Sequence, residues 1–152
     1  MTYEVQDRFV EIEPPDTRAI TVQGGSSVVA IPQTNWTLQF VDSQEVVGEN
    51  GAAINAFDGN ANTFWHTQWF NIDPDPPPPH EIRINLGAVY DIGGFRYFPR
   101  QNAINGRIAK YELYVSLDGV NWGSPVATGT FPNTTIEQEV SFIPKPGQLV
   151  RL

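Results

Sequence analysis

No stretch of ten residues in this chain combines a helical period with freedom from glycine and proline, and nothing else in the sequence constrains the fold as strongly. Thirteen glycines and thirteen prolines are spread over 152 residues. Proline inside a helix removes a backbone donor and clashes with the preceding turn, and glycine is the weakest helix former after it. The segments between these breaks alternate with the two-residue period of a strand. In 81–87, Ile82, Ile84 and Leu86 point one way while Arg83 and Asn85 point the other. Trp36, Leu38 and Phe40 alternate, Phe95 and Tyr97 share a face in 93–100, and 110–116, 139–143 and 149–152 read as further strands. Leu117-Asp-Gly-Val-Asn-Trp122 has turn chemistry. Short strands set apart by turn residues predict an all-β sandwich or barrel.

The length suits one domain with a sizeable core. A net charge of −8 argues against nucleic acid and anionic lipid as partners. No apolar run is long enough for membrane insertion as a helix, and Met1 is followed by polar residues rather than the apolar core of a secretory leader. The chain has no cysteine, so disulfides and thiolate chemistry are excluded. Residues 1–30 read as an N-terminal arm or linker ahead of a main domain at 31–152, with an acidic, proline-marked break at Glu11-Ile-Glu-Pro-Pro-Asp16. Within the arm, residues 19–22 and 28–31 are placed to pair as a hairpin across Gly24-Gly25. The run Asp73-Pro-Asp-Pro-Pro-Pro-Pro79 is too rich in proline to join a sheet and reads as a stiff, exposed loop in extended polyproline form.

Chemistry concentrates in 54–69. Asn55, Asp58, Asn60, Asn62 and Thr63 gather oxygen-bearing side chains around Gly59, which suits a hard cation such as Ca²⁺ and equally suits an Asx-rich turn. The glutamate that closes a helix–loop–helix calcium site at its twelfth position is missing. Phe64 and Trp65, followed by His66 and Thr67, read as a strand entering the core. Catalytic signatures are sparse: there is no Gly-x-Ser-x-Gly elbow, no phosphate loop and no zinc-ligand spacing between His66 and His80, so no enzymatic role is expected. Acidic residues are numerous enough that a carboxylate pair for glycoside hydrolysis stays open. Residues 97–108 end a strand at Pro99 and open a loop carrying Arg100, Gln101, Asn102, Asn105 and Arg107. Guanidinium and amide donors beside an aromatic face match a sugar's vicinal hydroxyls and apolar C–H face, whereas the bland alternative is a solvated loop tied by an Arg–carboxylate pair.

Several motifs together resemble a known family. Asn55-Ala-Phe-Asp-Gly-Asn-Ala-Asn-Thr-Phe-Trp-His-Thr67 and Pro79-His-Glu-Ile-Arg-Ile-Asn-Leu-Gly87 are similar to the coagulation-factor type C, or discoidin, domain. Pro99-Arg-Gln101, Asn105-Gly-Arg-Ile108, the run from Tyr114 to Ala127 and the closing Val150-Arg-Leu152 resemble its galactose-binding branch, the family 32 carbohydrate-binding modules. The resemblance covers about 31–152 and implies a jelly-roll β-sandwich of galactose-binding-domain type. It implies a structural Ca²⁺ held by the Asn55 carbonyl, Asp58, Asn60 and Thr63. It further implies a shallow, lectin-like site for galactose-like glycans or polysaccharide at one end of the sandwich, contacted by His66, Trp69, Arg100 and Asn105, with Glu49 beside them.

Members of that family continue beyond the Val-Arg-Leu strand into a loop with an aromatic residue and a last strand with a calcium-ligating glutamate, whereas this sequence ends at Leu152. The expectation is a sandwich C-terminally short of the usual last strand, with weakened calcium and an open sheet edge that the arm or other protein chains cover. That edge also supports a second expectation, a structural or attachment module of a larger assembly such as a phage particle. Either role places the chain outside the cell or on a particle surface.

Overall fold

The computed structural model describes residues 8–12, 20–21 and 27–152, with side chains from residue 29 onward. Eight strands run in the order β1 (Arg8–Ile12), β2 (Ile20–Thr21), β3 (Ser27–Ala30), β4 (Thr37–Val41), β5 (Ile82–Tyr97), β6 (Lys110–Ser116), β7 (Ala127–Thr130) and β8 (Gln138–Arg151) among the described residues. Two single 3-10 turns, Gln33–Asn35 and Ala53–Phe57, interrupt them. The lateral order is β2-β3-β1-β5-β8-β6-β7, with β4 also on β5. The fold is all-β, as the glycine and proline pattern requires.

The two segments at 81–87 and 93–100 are one strand of 16 residues, and 139–143 and 149–152 belong to one strand of 14. Bulges make this possible: the β5·β8 register shifts between Asn85 and Tyr90 and again between Ile92 and Gly94. A bulge adds a residue on one side and bends the strand, so β5 and β8 curl together instead of stopping at their glycines. Gly87 sits at φ +84°, and a Cβ there would lie 2.8 Å from the Cβ of Asn35, so both conformation and space require glycine. The hairpin expected in the arm is present as β2 against β3, with Ile20 opposite Val28. Beyond it, β1 runs parallel to the C-terminal half of β5, Val10 opposite Phe95, which covers that flank of β5 with chain from the N-terminal segment.

Alternate residues of β5, β6 and β8 fill the core: Ile82, Ile84, Leu86, Leu113, Val115 and Val150 are all buried. Phe131 stacks on Tyr111 at 4.3 Å and on Tyr97 at 4.9 Å, with Phe95 edge-on to Tyr111, closing one end. The alternation of β4 breaks where its register shifts between Leu38 and Phe40. Val41 therefore packs on the core, and Phe40 stays 42 % exposed on the other face. The proline run at 73–79 is mostly exposed, as expected; its Asp73–Pro74 and Pro78–Pro79 bonds are cis.

Candidate functional site

Three loops, 42–51, 63–70 and 98–107, meet at one end of the sheet, and a single buried carboxylate fixes two of them. Glu45 is 1 % exposed and has no cation against it among the described residues. Instead its Oε1 accepts the N–H groups of Val47 (2.7 Å) and Gly48 (2.8 Å), and its Oε2 those of Trp69 (3.0 Å) and Phe70 (2.8 Å). A charge without a counter-ion is tolerated inside a protein when its lone pairs are met by donors. The N–H groups of Trp69 and Phe70, then those of Gly48 and Val47, hold its carboxyl down to about 2 from an ordinary 4.5 against the opposing effect of burial. The same contacts explain why 64–69 is not the strand its alternation predicted. Its Trp69 N–H goes to the carboxylate and its Gln68 N–H to the Ser43 hydroxyl (2.9 Å), and only the Glu45 N–H to His66 carbonyl bond (2.7 Å) and the His66 N–H to Gly51 carbonyl bond (3.1 Å) give it a sheet-like neighbour. Trp65 still packs against the core from this irregular segment and donates its indole N–H to the Ser43 carbonyl at 2.9 Å.

Four residues along the chain, Glu49 occupies the opposite environment. Its Oε1 accepts the Trp69 indole N–H at 3.0 Å and lies 3.4 Å from His66 Nδ1, and its Oε2 lies 3.6 Å from the Arg100 guanidinium. The carboxylate thus joins three of the side chains expected at a sugar site. The Arg100 guanidinium sits over the Phe64 ring, its Cζ 4.0 Å from the centroid, and is aimed by Asn102, whose Oδ1 accepts its Nε–H at 2.8 Å. The carbonyl of Asn105 accepts a further guanidinium N–H at 3.4 Å, while the Asn105 side chain is exposed. Arg107 braces the same loop, donating to the Arg100 carbonyl at 2.9 Å and to Asn133 Oδ1 at 2.7 Å. Because the Thr67 carbonyl only accepts, His66 donates to it from Nδ1 at 2.9 Å and its Nε2 is the ring acceptor in the neutral form. Gly106 makes that ring possible: at φ +82°, a Cβ would come within 2.4 Å of His66 Cδ2.

His66, Trp69, Arg100, Asn105 and Glu49 therefore come together, and Trp69 keeps 39 % of its surface exposed beside them. The arrangement presents a planar guanidinium fork, an imidazole, a carboxylate and an indole face at one solvent-accessible point. Alternating donors and acceptors next to an apolar face suit a neutral polyhydroxylated ligand. Glu45, Phe64, Asn102 and Arg107 shape the site without having been singled out for these roles from the sequence.

The Asx loop lies next to this cluster but is separate from it. Asp58 accepts the Asn60 N–H at 2.8 Å through Oδ1 and the Thr63 hydroxyl at 2.7 Å through Oδ2. Asn60 Oδ1 accepts the Asn62 N–H at 3.0 Å, and Gly59 makes the turn at φ +77°. The side-chain NH₂ of Asn55 is committed to structure, donating to the carbonyls of Asn50 (2.9 Å) and Phe64 (3.1 Å), which fixes the residue at the edge of the loop. Among the described residues no three acidic, histidine or cysteine side chains are grouped to hold a metal. The donor set fits a hard cation held by one carboxylate and neutral oxygens, a low charge count that goes with weak affinity. A cavity of about 100 Å³ lined by Asp58, Thr63, Phe64, Tyr97, Arg100 and Leu152 lies between this loop and the Arg100 stem. His66, Trp69 and Glu49 do not line it, so the cavity and the polar cluster are different places.

Comparison with known proteins converges on one family. Residues 39–152 match the model of the F5/8 type C domain. A sialidase from Micromonospora viridifaciens is 40 % identical over 126 residues, 83 % of this chain and 19 % of the relative. A galactose oxidase from Gibberella zeae is 39 % identical over 124 residues, 81 % of this chain and 18 % of the relative. The chain thus spans about a fifth of the length of these curated relatives. Among solved structures, the Clostridium perfringens module CpGH89CBM32-5, in complex with GalNAc-β-1,3-galactose, superposes with a TM-score of 0.72 at 35 % identity, covering 80 % of this chain and 84 % of that one. The family 32 carbohydrate-binding module of C. perfringens NanJ, in complex with galactose, gives 0.69 at 31 % identity over 80 % and 82 %.

Proposed function

The chain belongs to the F5/8 type C domain family, and from that premise we propose that it is a non-catalytic module that binds galactose-type sugars in the cluster around Glu49. One observation carries the reading. A single carboxylate gathers His66, Trp69 and Arg100 at a solvent-accessible loop end, in a fold whose solved relatives include modules complexed with galactose and with a galactose-containing disaccharide. In this reading Arg100 spans two neighbouring hydroxyls with its fork, Glu49 and His66 Nε2 accept from others, and Trp69 covers the sugar's C–H face. Phe64 beneath the guanidinium and Asn102 at its edge hold Arg100 in place before the ligand arrives, which lowers the ordering cost of binding. The activities named for the curated relatives are not carried over, since the chain spans 19 % and 18 % of them.

We further propose that Ca²⁺ binds the Asn55 carbonyl, Asp58, Asn60 and Thr63. The oxygen-only donor set supports this, and the ion would brace the Asx loop without touching the sugar. We propose that the module works outside the cell or on a particle surface, where glycans of this chemistry are displayed. The test is a glycan array in calcium-containing buffer, followed by titration with free galactose and glucose. Binding of galactose-terminated glycans with galactose preferred over glucose supports the proposal; binding of no galactose-type glycan contradicts it.

A further inference from the structure

On the opposite face of the sheet from the core, one cross-strand row carries Phe40, Arg83, Arg151 and Tyr114. Phe40 of β4 lies opposite Arg83 of β5, Arg83 opposite Arg151 of β8, and Arg151 opposite Tyr114 of β6. Each of the last three is flanked along its strand by residues packed in or on the core: Ile82 and Ile84, Val150 and Leu152, Leu113 and Val115. Side chains alternate along a strand, so this row faces outward. Four strands at their usual spacing make it ~14 Å long.

The centre of the row places arginine against arginine. Ile82 and Leu152 exchange both backbone hydrogen bonds at 3.0 Å, so the next pair, Arg83 and Arg151, is a non-hydrogen-bonded one with Cα atoms about 4.5 Å apart. Like charges directly opposite one another destabilise a sheet. Only Arg83 has a carboxylate, that of Glu81. Arg151 forms no ion pair among the described residues, and the nearby Glu112 is occupied by the Tyr114 hydroxyl. Both guanidinium groups lie within cation–π distance of rings: Arg83 is 4.7 Å from the Phe40 centroid and 5.7 Å from that of Trp122, and Arg151 is 4.0 Å from Tyr114 and 5.0 Å from Trp122. Trp122 is buried without belonging to the main core, so these two cations are its roof. Lys145 brings a third positive charge, its Nζ 3.4 Å from the Trp122 carbonyl.

Although Glu81 takes the Nε–H of Arg83, two adjacent guanidinium groups still bring terminal N–H donors together, a pairing that suits an oxyanion. Nine cations serve the whole chain, whose net charge is −8, yet two of them stand directly opposite one another on a strip that carries Phe40, Tyr114 and Trp122. We propose that this row is a second ligand surface, distinct from the Glu49 cluster, that binds an acidic polysaccharide through carboxylate or sulfate ester groups seated between Arg83 and Arg151. The charge selects the anion, and the exposed ring of Phe40 offers an apolar face to the sugar beside it.

Affinity electrophoresis tests this well, because a protein of net charge −8 is not drawn non-specifically to an anionic polymer. Native gels would contain polygalacturonate, dextran sulfate or neutral galactan, with free galactose present throughout to saturate the loop site, and mobilities would be read relative to a plain gel. Wild type should be retarded by at least one anionic polymer, less so as salt is raised, and not by the galactan. Arg83→Gln and Arg151→Gln should each weaken that retardation by about tenfold or more while leaving galactose titrations unchanged. Arg100→Gln should do the reverse. Because Arg151 roofs Trp122, Arg151→Lys guards against misfolding: it should melt close to wild type, yet bind poorly for want of the planar fork. No retardation by either polymer overturns the proposal, as does equal retardation of wild type, Arg83→Gln and Arg151→Gln. Binding to phosphatidylserine vesicles without binding to either polysaccharide also overturns it.

Discussion

The β5–β8 pair and the loop end around Glu49 lie in one small domain but are held by different physics. In the strands, burial of Ile82, Ile84, Phe95 and Val150 on one face does most of the work, spread over many contacts. At the loop end the chain is irregular, and its position depends on few, directional bonds, four of them converging on Glu45. The core should therefore lose stability roughly in proportion to what is removed, and the loop end should lose function well before the protein unfolds. Glu45 and Glu49 show the contrast within one loop. The first satisfies itself entirely on backbone and is sealed in, while the second joins the side chains of His66, Trp69 and Arg100 and is partly exposed.

The largest effect is expected in the core. Phe95→Ala, which empties the space against Tyr111 and Phe131, should cost about 3–5 kcal/mol in denaturant unfolding, while molecules that remain folded bind galactose with near wild-type affinity. A comparable loss of affinity at intact stability would erase the distinction between the two regions.

Glu45→Gln should invert that result. An amide offers one acceptor oxygen and turns its NH₂ toward two backbone N–H groups, so the loops carrying Glu49 and Trp69 separate and galactose affinity collapses with a smaller change in melting than Phe95→Ala. The pH dependence gives the sign. A carboxyl held down to about 2 in the fold and near 4.5 when unfolded contributes its full stability above pH 4.5 and loses it as pH falls from 4.5 toward 2. Melting temperatures of wild type should fall across that window more steeply than those of Glu45→Gln, and parallel curves would refute the assignment.

A smaller, more local effect is expected at Arg100. Arg100→Lys keeps the charge near Glu49 but loses the fork and the guanidinium's contact with Phe64, which should weaken galactose binding by about tenfold or more with little change in melting. Arg107→Lys, which alters only the brace behind it, should lose less. Equal losses by calorimetry would mean that the loop's shape matters and Arg100's hydrogen bonds do not. Smallest of all is the metal effect. A chelator should lower the melting temperature of wild type by a few degrees in the manner of any ligand bound only to the folded state, and leave Asp58→Ala unmoved. Equal shifts in both proteins would detach calcium from this loop.

How far these features can be read from the sequence follows the same division. The all-β class is legible because proline and glycine exclude helices, and the Ile82-Ile84-Leu86 face is legible because burial obeys the strand period. The continuity of β5 and β8 is not, since Gly87, Gly93 and Gly94 look like strand ends and only the bulged register shows that the chain pairs through them. Phe40 misleads for the same reason, one register shift turning it outward. At the site, His66, Trp69, Arg100, Asn105 and Glu49 are reached through family motifs rather than spacing, because contacts between loops leave no period in a sequence. Glu45 is the extreme case. Val46 and Val47 beside it are 58 % and 72 % exposed while the carboxylate is buried, the reverse of what hydropathy suggests, because four backbone donors outweigh side-chain polarity there.

The central claim is that sugar occupies the point where Glu49 joins His66, Trp69 and Arg100. The four indole N–H groups report on it directly in a proton–nitrogen correlation spectrum, since Trp69 lies in the cluster, Trp65 packs against the core with its N–H on Ser43, Trp36 is in the core and Trp122 lies under the outer arginine row. Titration with galactose should move the Trp69 indole signal most, with saturation matching the calorimetric affinity, and leave those of Trp36 and Trp122 in place. A saturable shift at Trp122 with Trp69 unmoved would put the sugar on the wrong face of the molecule and contradict the account.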